Sequence, residues 1–385
     1  MNGPEPSIAK RTFSRRTALM AGAAVVGGIG LSGTARAATP RRGGPAAPTK
    51  LSPTQLAGQR VIFSYPGSTP PDSLLQQISA GEVGGVIFFG ENILSLDQIS
   101  AVVQQLDEAH RSSPVSAPLL LMTDQEGGIV RRLRTSPPAL TERQIGSSAN
   151  PGAAASDAGA GAGNALAGVG MNVNLAPVLD VFREPGNFDD EFGRSYSEDP
   201  KICAECGVAF ITAQQPTGVA ATAKHFPGLG AATRDQNTDL GPVTLNVPLS
   251  DLRSIDELPF GAAIEAGVDM VMASWALYPA LDPTLPAGLS PTVIRGELRR
   301  RLKFRGVTIT DALEAGAIAA YGTSAQRGVL AAQAGMDVLL CSARDVSQGQ
   351  TTVAAVAEAL QDHRLNPGQF TTAYKRVMAL RSRLG

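Results

Sequence analysis

The stretch Val307–Glu314, VTITDALE, shows the pattern on which the fold prediction rests. A short run rich in β-branched residues, Val307–Thr310, ends directly before an acidic side chain, Asp311. β-branched residues favour strands, and an apolar run is typical of a parallel strand that is buried on both faces. A carboxylate directly after such a strand is costly unless it lines a site or finds a partner. The stretch therefore predicts a buried strand with a functional group at its carboxyl end.

Similar apolar runs recur along the chain and alternate with helical patterns. The other strand candidates are Arg60–Tyr65, Gly84–Phe89, Pro118–Thr123, Asn172–Val181, Ala220–Lys224, Asp269–Ser274 and Asp337–Cys341. The helical patterns are Leu94–His110, Ala154–Val169, Pro200–Gln214, Leu249–Ala266, Gln326–Ala334, Val353–Leu360 and Pro367–Leu384. Eight strands with intervening helices predict an α/β fold, a single-domain (β/α)8 TIM-like barrel, with a doubly wound open sheet as the alternative. In a barrel the carboxyl ends of the strands form the active face, which brings Asp124-Gln125-Glu126, His225 and Asp311 together.

The N-terminal residues have the pattern of an export signal. Ser14–Leu19, SRRTAL, is a twin-arginine pattern, and a weakly apolar run rich in Gly and Ala follows it. Ala35-Arg36-Ala37 is a small-x-small cleavage site. We expect residues 1–37 to be a twin-arginine signal peptide, 38–51 a flexible linker and 52–385 the barrel domain, whose first helix starts at Ser52-Pro53. The mature protein is then soluble, extracellular or in the cell envelope, with no integral membrane segment; a disordered basic N-terminus is the alternative.

Composition excludes several function classes. The net charge is −1 and charged residues make up 17% of the chain, which provides no global attraction to nucleic acid. Three cysteines are too few and odd in number for a disulfide framework, and we expect Cys203 and Cys206 to be buried small side chains. The three histidines lack the spacing of metal ligands. The glycine-rich stretch Gly159–Gly163 lies in an Ala-rich helical pattern and lacks the third glycine of a dinucleotide loop.

Four motifs follow one another along the chain and together identify a family. They are Thr123–Arg132 (TDQEGGIVRR), Phe192–Pro200 (FGRSYSEDP), Ala223–Asp239 (AKHFPGLGAATRDQNTD) and Thr308–Glu314 (TITDALE). The ordered set resembles glycoside hydrolase family 3, in its short, single-barrel β-N-acetylglucosaminidase branch. The resemblance extends from about Leu51 to the C-terminus.

The resemblance implies a cofactor-free, retaining β-N-acetylhexosaminidase that acts on terminal β-linked N-acetylglucosamine, as in peptidoglycan fragments. It makes Asp311 the nucleophile that forms a covalent glycosyl-enzyme. The positions that match the sugar-contacting residues are Asp124, Arg132, Arg194, Lys224 and His225. Each also has a plainer interpretation: Asp311 as a helix N-cap, the arginines as surface ion pairs, Lys224 as a solvated side chain, and His225 as a structural histidine. Gly127-Gly128 is expected to form a tight turn or to let the backbone approach a ligand.

One departure from the family pattern concerns the proton donor. In this branch an Asp-x-His dyad on the loop after Lys-His-Phe-Pro-Gly-His-Gly provides the acid/base. Here Asp235 matches the aspartate, but Asn237 stands at the histidine position, and Leu229 replaces the second histidine of Gly-His-Gly. An amide cannot transfer a proton near neutral pH. Asp235 and Asp239 are the carboxyl groups nearest in sequence that could take over the role.

Two other functions therefore stay open at this point. A barrel that has lost its proton donor but keeps its sugar contacts could be a carbohydrate-binding protein. A family 3 glycosidase for a different sugar is the other alternative, because neither Asp124 nor Arg194 alone selects the N-acetyl group. The loop Asp235–Asp239 and the dependence of hydrolysis on the leaving group distinguish the first of these from an active enzyme.

Overall fold

The fold is a closed barrel of eight parallel strands, seen in a computed structural model that describes residues 50–188 and 190–384. The barrel strands are β1 (Val61–Phe63), β2 (Gly85–Ile87), β3 (Leu120–Thr123), β6 (Val173–Asn174), β7 (Ala220–Phe226), β8 (Met270–Ala273), β9 (Val307–Thr310) and β10 (Leu339–Leu340). They follow the order β10-β1-β2-β3-β6-β7-β8-β9, and every neighbouring pair is parallel. A parallel bridge between Ile309 and Val338 joins β9 to β10 and closes the ring. The barrel prediction is confirmed, and the doubly wound open sheet is wrong.

Helices follow the strands and form the outer layer. They are α1 (Pro53–Gly58), α2 (Asp72–Ser79), α3 (Leu96–His110), α4 (Glu142–Gly146), α5 (Pro151–Gly168), α6 (Pro200–Gln214), α7 (Leu249–Asp251), α8 (Leu258–Glu265), α9 (Ser324–Ala334), α10 (Val346–Gln361) and α11 (Pro367–Arg381), with a wider π-type helix over Thr292–Arg301. Helix α1 begins at Pro53, where the sequence predicts the first helix, because the Ser52 hydroxyl accepts a hydrogen bond from the Gln55 N–H and caps it. The predicted signal peptide and all but the last two residues of the predicted linker lie outside the described residues.

The core has two layers, which explains why polar and apolar residues do not alternate along the strands. Ile62, Leu120 and Met270 belong to a fully buried cluster that includes residues from all eight barrel strands. A larger cluster, with members such as Phe63, Leu121 and Val271, packs the strands against the helices. Because both faces of each strand are buried, apolar residues are needed at successive positions.

Two predicted elements are interrupted in the structure, and proline explains part of each interruption. The run Asn172–Val181 forms a strand only over β6, and the rest extends past Pro177, which has no N–H to donate, to place Asp180 beside the next strand end. The helical pattern Leu249–Ala266 is divided into α7, a π-type turn (Leu252–Asp256) and α8, in which Pro259 occupies the first turn. The helix over Thr292–Arg301 was not predicted; three successive arginines near its end obscure its apolar face.

The glycine-rich stretch Gly159–Gly163 lies inside α5, as predicted, and serves helix packing. A Cβ atom on Gly159 would lie 2.2 Å from the Phe210 carbonyl oxygen of α6. The close approach of α5 and α6 therefore requires the missing side chain. The three cysteines are buried and free, which confirms the prediction for Cys203 and Cys206.

Candidate active site

A polar cavity of about 330 Å³ lies at the carboxyl ends of the barrel strands. Its base is apolar and includes Ile87, Leu175, Met272 and Leu340, which come from four barrel strands or their ends. Six residues predicted for the site line its wall: Asp124, Arg132, Arg194, Lys224, His225 and Asp311. The volume falls at the lower end of the range for small-molecule sites.

Asp311 is held at the end of β9 by the chain that follows it. Its Oδ1 accepts a hydrogen bond from the Ala312 N–H at 2.7 Å. The indole N–H of Trp275, the single tryptophan of the chain, donates to the Ala312 carbonyl at 2.8 Å and fixes this turn from the neighbouring strand end. A carboxylate on a rigid strand end is well placed to react with a ligand in the cavity.

The charged wall of the cavity is a connected ion-pair network. The Lys224 ammonium lies 2.9 Å from Asp124 Oδ1 and 2.7 Å from Glu126 Oε1. Arg194 donates two hydrogen bonds to Glu126, from Nε at 2.9 Å and from Nη2 at 3.0 Å. Arg132 approaches the other oxygen of Asp124 at 3.4 Å. The sequence predicts Glu126 at the active face, as part of Asp124-Gln125-Glu126, but does not indicate its ion pairs with Lys224 and Arg194.

The network keeps its members ionised despite burial. Desolvation opposes the charge of Asp124, but the positive charges of Lys224 and Arg132 lower its pKa below its usual value. Desolvation likewise opposes the charge of Lys224, yet Asp124 and Glu126 raise its pKa. The arginines and Lys224 give the wall charged donors and Asp124 gives it an acceptor, the groups that hydrogen-bond sugar hydroxyls.

His225 forms a buried pair with Asp180, a residue that the sequence analysis missed. The ring Nδ1 lies 2.7 Å from Asp180 Oδ2, and since a carboxylate only accepts, the proton is on Nδ1. Asp180 also accepts from the Leu229 N–H at 2.6 Å. Burial disfavours the charged form of Asp180, but the His225 ring and the backbone N–H groups of Leu229 and His225 lower the pKa of this carboxyl group. The only sequence signal for this pair was an aspartate near the end of an apolar run.

The loop over Asp235–Asp239 places its two carboxyl groups differently. Asp239 lines the cavity, whereas Asp235 and Asn237 do not, and Asp235 is exposed. The Asn237 side-chain oxygen accepts from the Asp239 N–H at 2.8 Å and so shapes the turn. The carbonyls of Thr238 and Asp239 accept from the N–H groups of residues 317 and 316 at 3.0 and 2.9 Å, which ties this turn to the segment after Asp311.

Asp239 stands at the mouth of the cavity in an environment that favours its protonated form. Like Asp235 it is exposed to solvent, yet surrounding protein desolvates part of the carboxylate, and this desolvation and the negative charge of Asp311 raise its pKa. His225 and Arg194 act in the opposite direction. Asp239 and Asp311 thus place two carboxyl groups at one cavity.

The turn predicted at Gly127-Gly128 is confirmed. Both glycines have positive φ, 138° and 54°, where β4 (Gln125–Gly127) turns into β5 (Val130–Arg131). The two strands form a small antiparallel hairpin beside the cavity.

Among residues 50–188 and 190–384, no group of three or more His, Cys, Asp and Glu side chains is arranged to hold a metal ion.

Two carboxyl groups set among charged donors, at the carboxyl ends of the strands of a parallel barrel, are an arrangement that suits a glycosidase. Comparison with known proteins gives the particular family. The profile "Glycosyl hydrolase family 3 N terminal domain" matches residues 55–380. The chain belongs to glycoside hydrolase family 3, and it is a glycosidase.

Two relatives and two solved structures illustrate the family likeness. The chain is 48% identical over 330 residues to an "Uncharacterized secreted glycosyl hydrolase" of Arthroderma benhamiae, covering 85% of this chain and 93% of that one. It is 33% identical to a "Beta-hexosaminidase" of Nitrosomonas eutropha, with 72% and 79% covered. A β-N-acetylhexosaminidase structure from Beutenbergia cavernae is similar with a TM-score of 0.78 at 34% identity, covering 86% of this chain and 99% of that one. A family 3 β-N-acetylglucosaminidase from Paenibacillus gives a TM-score of 0.80 at 32% identity, with 87% of this chain and 63% of that longer chain covered.

No helix within the described part of the chain is both long and apolar enough to cross a membrane.

Proposed function

We propose that this family 3 glycosidase is a retaining β-N-acetylhexosaminidase with Asp311 as its nucleophile. The observation that carries the proposal is the position of Asp311, a carboxylate on a strand end that lines a sugar-sized cavity with five charged or polar neighbours predicted to contact the sugar. Relatives and solved structures at 32–34% identity are described as β-hexosaminidases or β-N-acetylglucosaminidases, which supports the same sugar class.

The reaction proceeds in two displacements at the anomeric carbon. Asp311 attacks this carbon, the bond to the leaving-group oxygen breaks, and a glycosyl ester forms. Water then attacks the anomeric carbon from the face that the leaving group vacated, opposite the ester. The bond between this carbon and the Asp311 oxygen breaks, which restores both the Asp311 carboxylate and the starting configuration. The wall residues Asp124, Arg132, Arg194, Lys224 and His225 bind the sugar hydroxyls and orient the ring.

We infer that Asp239 gives the proton to the leaving oxygen and takes one from water in the second step. Three observations support Asp239 over Asp235. It lines the cavity, its turn is tied to the segment after Asp311, and its pKa is raised by desolvation and by the charge of Asp311. Asn237 then acts as a positioning residue through its hydrogen bond to the Asp239 N–H.

The finer features of the substrate are part of the same proposal. Terminal β-linked N-acetylglucosamine, such as that of peptidoglycan fragments, is the expected substrate class. Export by the twin-arginine route would bring the enzyme to such material outside the cytoplasm, and a relative at 48% identity is described as secreted.

The test is a panel of aryl β-glycosides that differ in sugar and in leaving group. We expect cleavage of 4-nitrophenyl N-acetyl-β-glucosaminide in preference to the β-glucoside and β-galactoside. Asp311→Asn should lower kcat by roughly 10⁴-fold or more, because the amide cannot form the glycosyl ester. Mass spectrometry should detect the glycosyl adduct on Asp311 in the wild type.

Circular dichroism and thermal unfolding of Asp311→Asn control for the fold. Wild-type hydrolysis by that variant would remove Asp311 from the mechanism. Binding of N-acetylglucosamine without cleavage of any activated glycoside would instead establish a carbohydrate-binding protein. Preference for a different glycoside would assign another sugar specificity.

A further inference from the structure

A second and larger cavity, of about 720 Å³, lies at the opposite end of the barrel from the active site. Arg60, which precedes β1, and Met336, which precedes β10, both line it, so it opens at the amino ends of the strands. Five arginines line this cavity: Arg60, Arg295, Arg299, Arg300 and Arg376. The chain as a whole carries a net charge of −1, so this concentration of positive charge is local.

One buried carboxylate faces three of these guanidinium groups. Asp337 accepts from Arg376 at 2.9 Å on one oxygen and from Arg299 on the other. Arg60 donates only to main-chain carbonyls, those of Asp337 at 2.9 Å and Met336 at 2.7 Å, and its guanidinium lies over the Phe370 ring. The innermost part of the cavity therefore holds three positive charges and one negative charge.

The two remaining arginines add to this excess. Arg295 donates to the Gln333 carbonyl, and Arg300 is exposed. Within the described residues, Arg60, Arg295 and Arg300 form no ion pair with a carboxylate. Burial lowers the pKa of Arg60 to about 10; the Asp337 carboxylate opposes this shift, and the positive charge of Arg376 adds to it.

The amino end of helix α11 lies at the same cavity. Asn366, Gly368 and Gln369 line the wall, and Asn366 caps the helix by accepting from the Gln369 N–H at 3.0 Å. The dipole of this 15-residue helix has its positive end at the cavity, where it adds to the positive charge of the guanidinium groups.

We propose that this cavity, here named the arginine pocket, binds a small molecule that carries two or more phosphate or carboxylate groups. Guanidinium groups bind both kinds of oxyanion through paired N–H donors. The volume lies well within the range of small-molecule sites and leaves room for more than one anionic group, while Pro291, Ala332, Met336 and Ala373 give an apolar wall for the body of the ligand.

The experiment uses inorganic tripolyphosphate and citrate as probes, titrated into the protein by isothermal calorimetry at low ionic strength. We expect saturable binding with a stoichiometry of one for at least one probe. Arg295→Gln and Arg300→Gln should each weaken it about 10-fold or more, because each removes a charge-assisted donor. Both side chains are only partly buried or exposed, so the variants should keep the fold.

Arg111→Gln is the matched control, because Arg111 is an exposed arginine that does not line the arginine pocket. It should bind the probes as the wild type does. Saturable binding of tripolyphosphate alone assigns a phosphate ligand, binding of citrate alone a carboxylate ligand, and binding of both an oxyanion of either kind. Absence of saturable binding, or equal affinity in Arg295→Gln, Arg300→Gln and Arg111→Gln, overturns the proposal. Glycoside hydrolysis need not change with the probes, so the outcome is independent of the proposed activity.

Discussion

Asn237 and Asp239 lie two residues apart but have different positions relative to the cavity. The Asn237 side-chain oxygen accepts a hydrogen bond from the Asp239 N–H, and Asp239 lines the mouth of the cavity. The turn that carries Asn237 therefore still presents a carboxyl group to the cavity, that of Asp239 two residues further on.

The first prediction concerns Asp239. Asp239→Asn should lower kcat/KM on alkyl or disaccharide glycosides by about 10²–10⁴-fold, because these leaving groups need a proton. The loss on 4-nitrophenyl glycosides should be small in the glycosylation step. Since the pKa of Asp239 is raised, its protonated form persists to higher pH than an ordinary carboxyl group allows, and the alkaline limb of the wild-type profile should disappear in Asp239→Asn.

Asp235→Asn is the comparison on the same loop. If Asp235→Asn shows the steep dependence on leaving group and Asp239→Asn does not, the donor is Asp235. If neither does, the buried pair of His225 and Asp180 becomes the next group to replace. Added azide, a small nucleophile, should partly restore turnover of activated substrates in whichever variant has lost the base of the second step.

The sequence could predict the residues of the site that belong to contiguous motifs. Asp311, Lys224 and His225 were expected at strand ends and are found there. Asp180 was not predicted because it lies near the end of an apolar run and belongs to no motif, and its role depends on a contact with a residue 45 positions away. Which of the two carboxyl groups, Asp235 or Asp239, lines the cavity depends on the path of the loop, and residue types alone do not determine that path.

At the level of elements, the packing of α5 on α6 gives a direct test of the structure. Gly159→Ala should lower the free energy of unfolding by about 1–3 kcal/mol, because its Cβ would lie 2.2 Å from the Phe210 carbonyl oxygen. Gly168→Ala is the matched control in the same helix, since Gly168 is exposed and no atom lies within 4 Å of its added Cβ. It should leave stability unchanged or raise it by up to about 1 kcal/mol.

Urea unfolding followed by circular dichroism measures both variants. Equal stability of Gly159→Ala and Gly168→Ala would show that α5 and α6 do not approach as closely as described. Most of the elements were predicted from apolar runs, because buried strands and long helices have strong apolar patterns. The helix Thr292–Arg301 was not, since its three terminal arginines hide the buried side formed by Val293, Ile294 and Leu298.

At the level of the whole molecule, the pattern at residues 14–19 predicts the destination of the protein. Arg15-Arg16→Lys-Lys should strongly reduce export, because the twin-arginine receptor reads that pair. The measurement is the amount of mature protein outside the cytoplasm and its N-terminal sequence, with Arg11→Lys as the control. Unchanged export with the same N-terminus at Ala38 would indicate another route.

The indole of Trp275 gives the molecule a built-in optical signal. It is the single tryptophan, it is buried, and its N–H holds the carbonyl of the residue directly after Asp311. Its fluorescence therefore comes from one place in the chain, with the blue-shifted emission of an indole shielded from water. A sugar that shifts the Asp311 turn on binding should change the intensity or wavelength of that emission, so that occupancy of the active site can be followed in unlabelled protein, even in a variant that no longer turns over substrate.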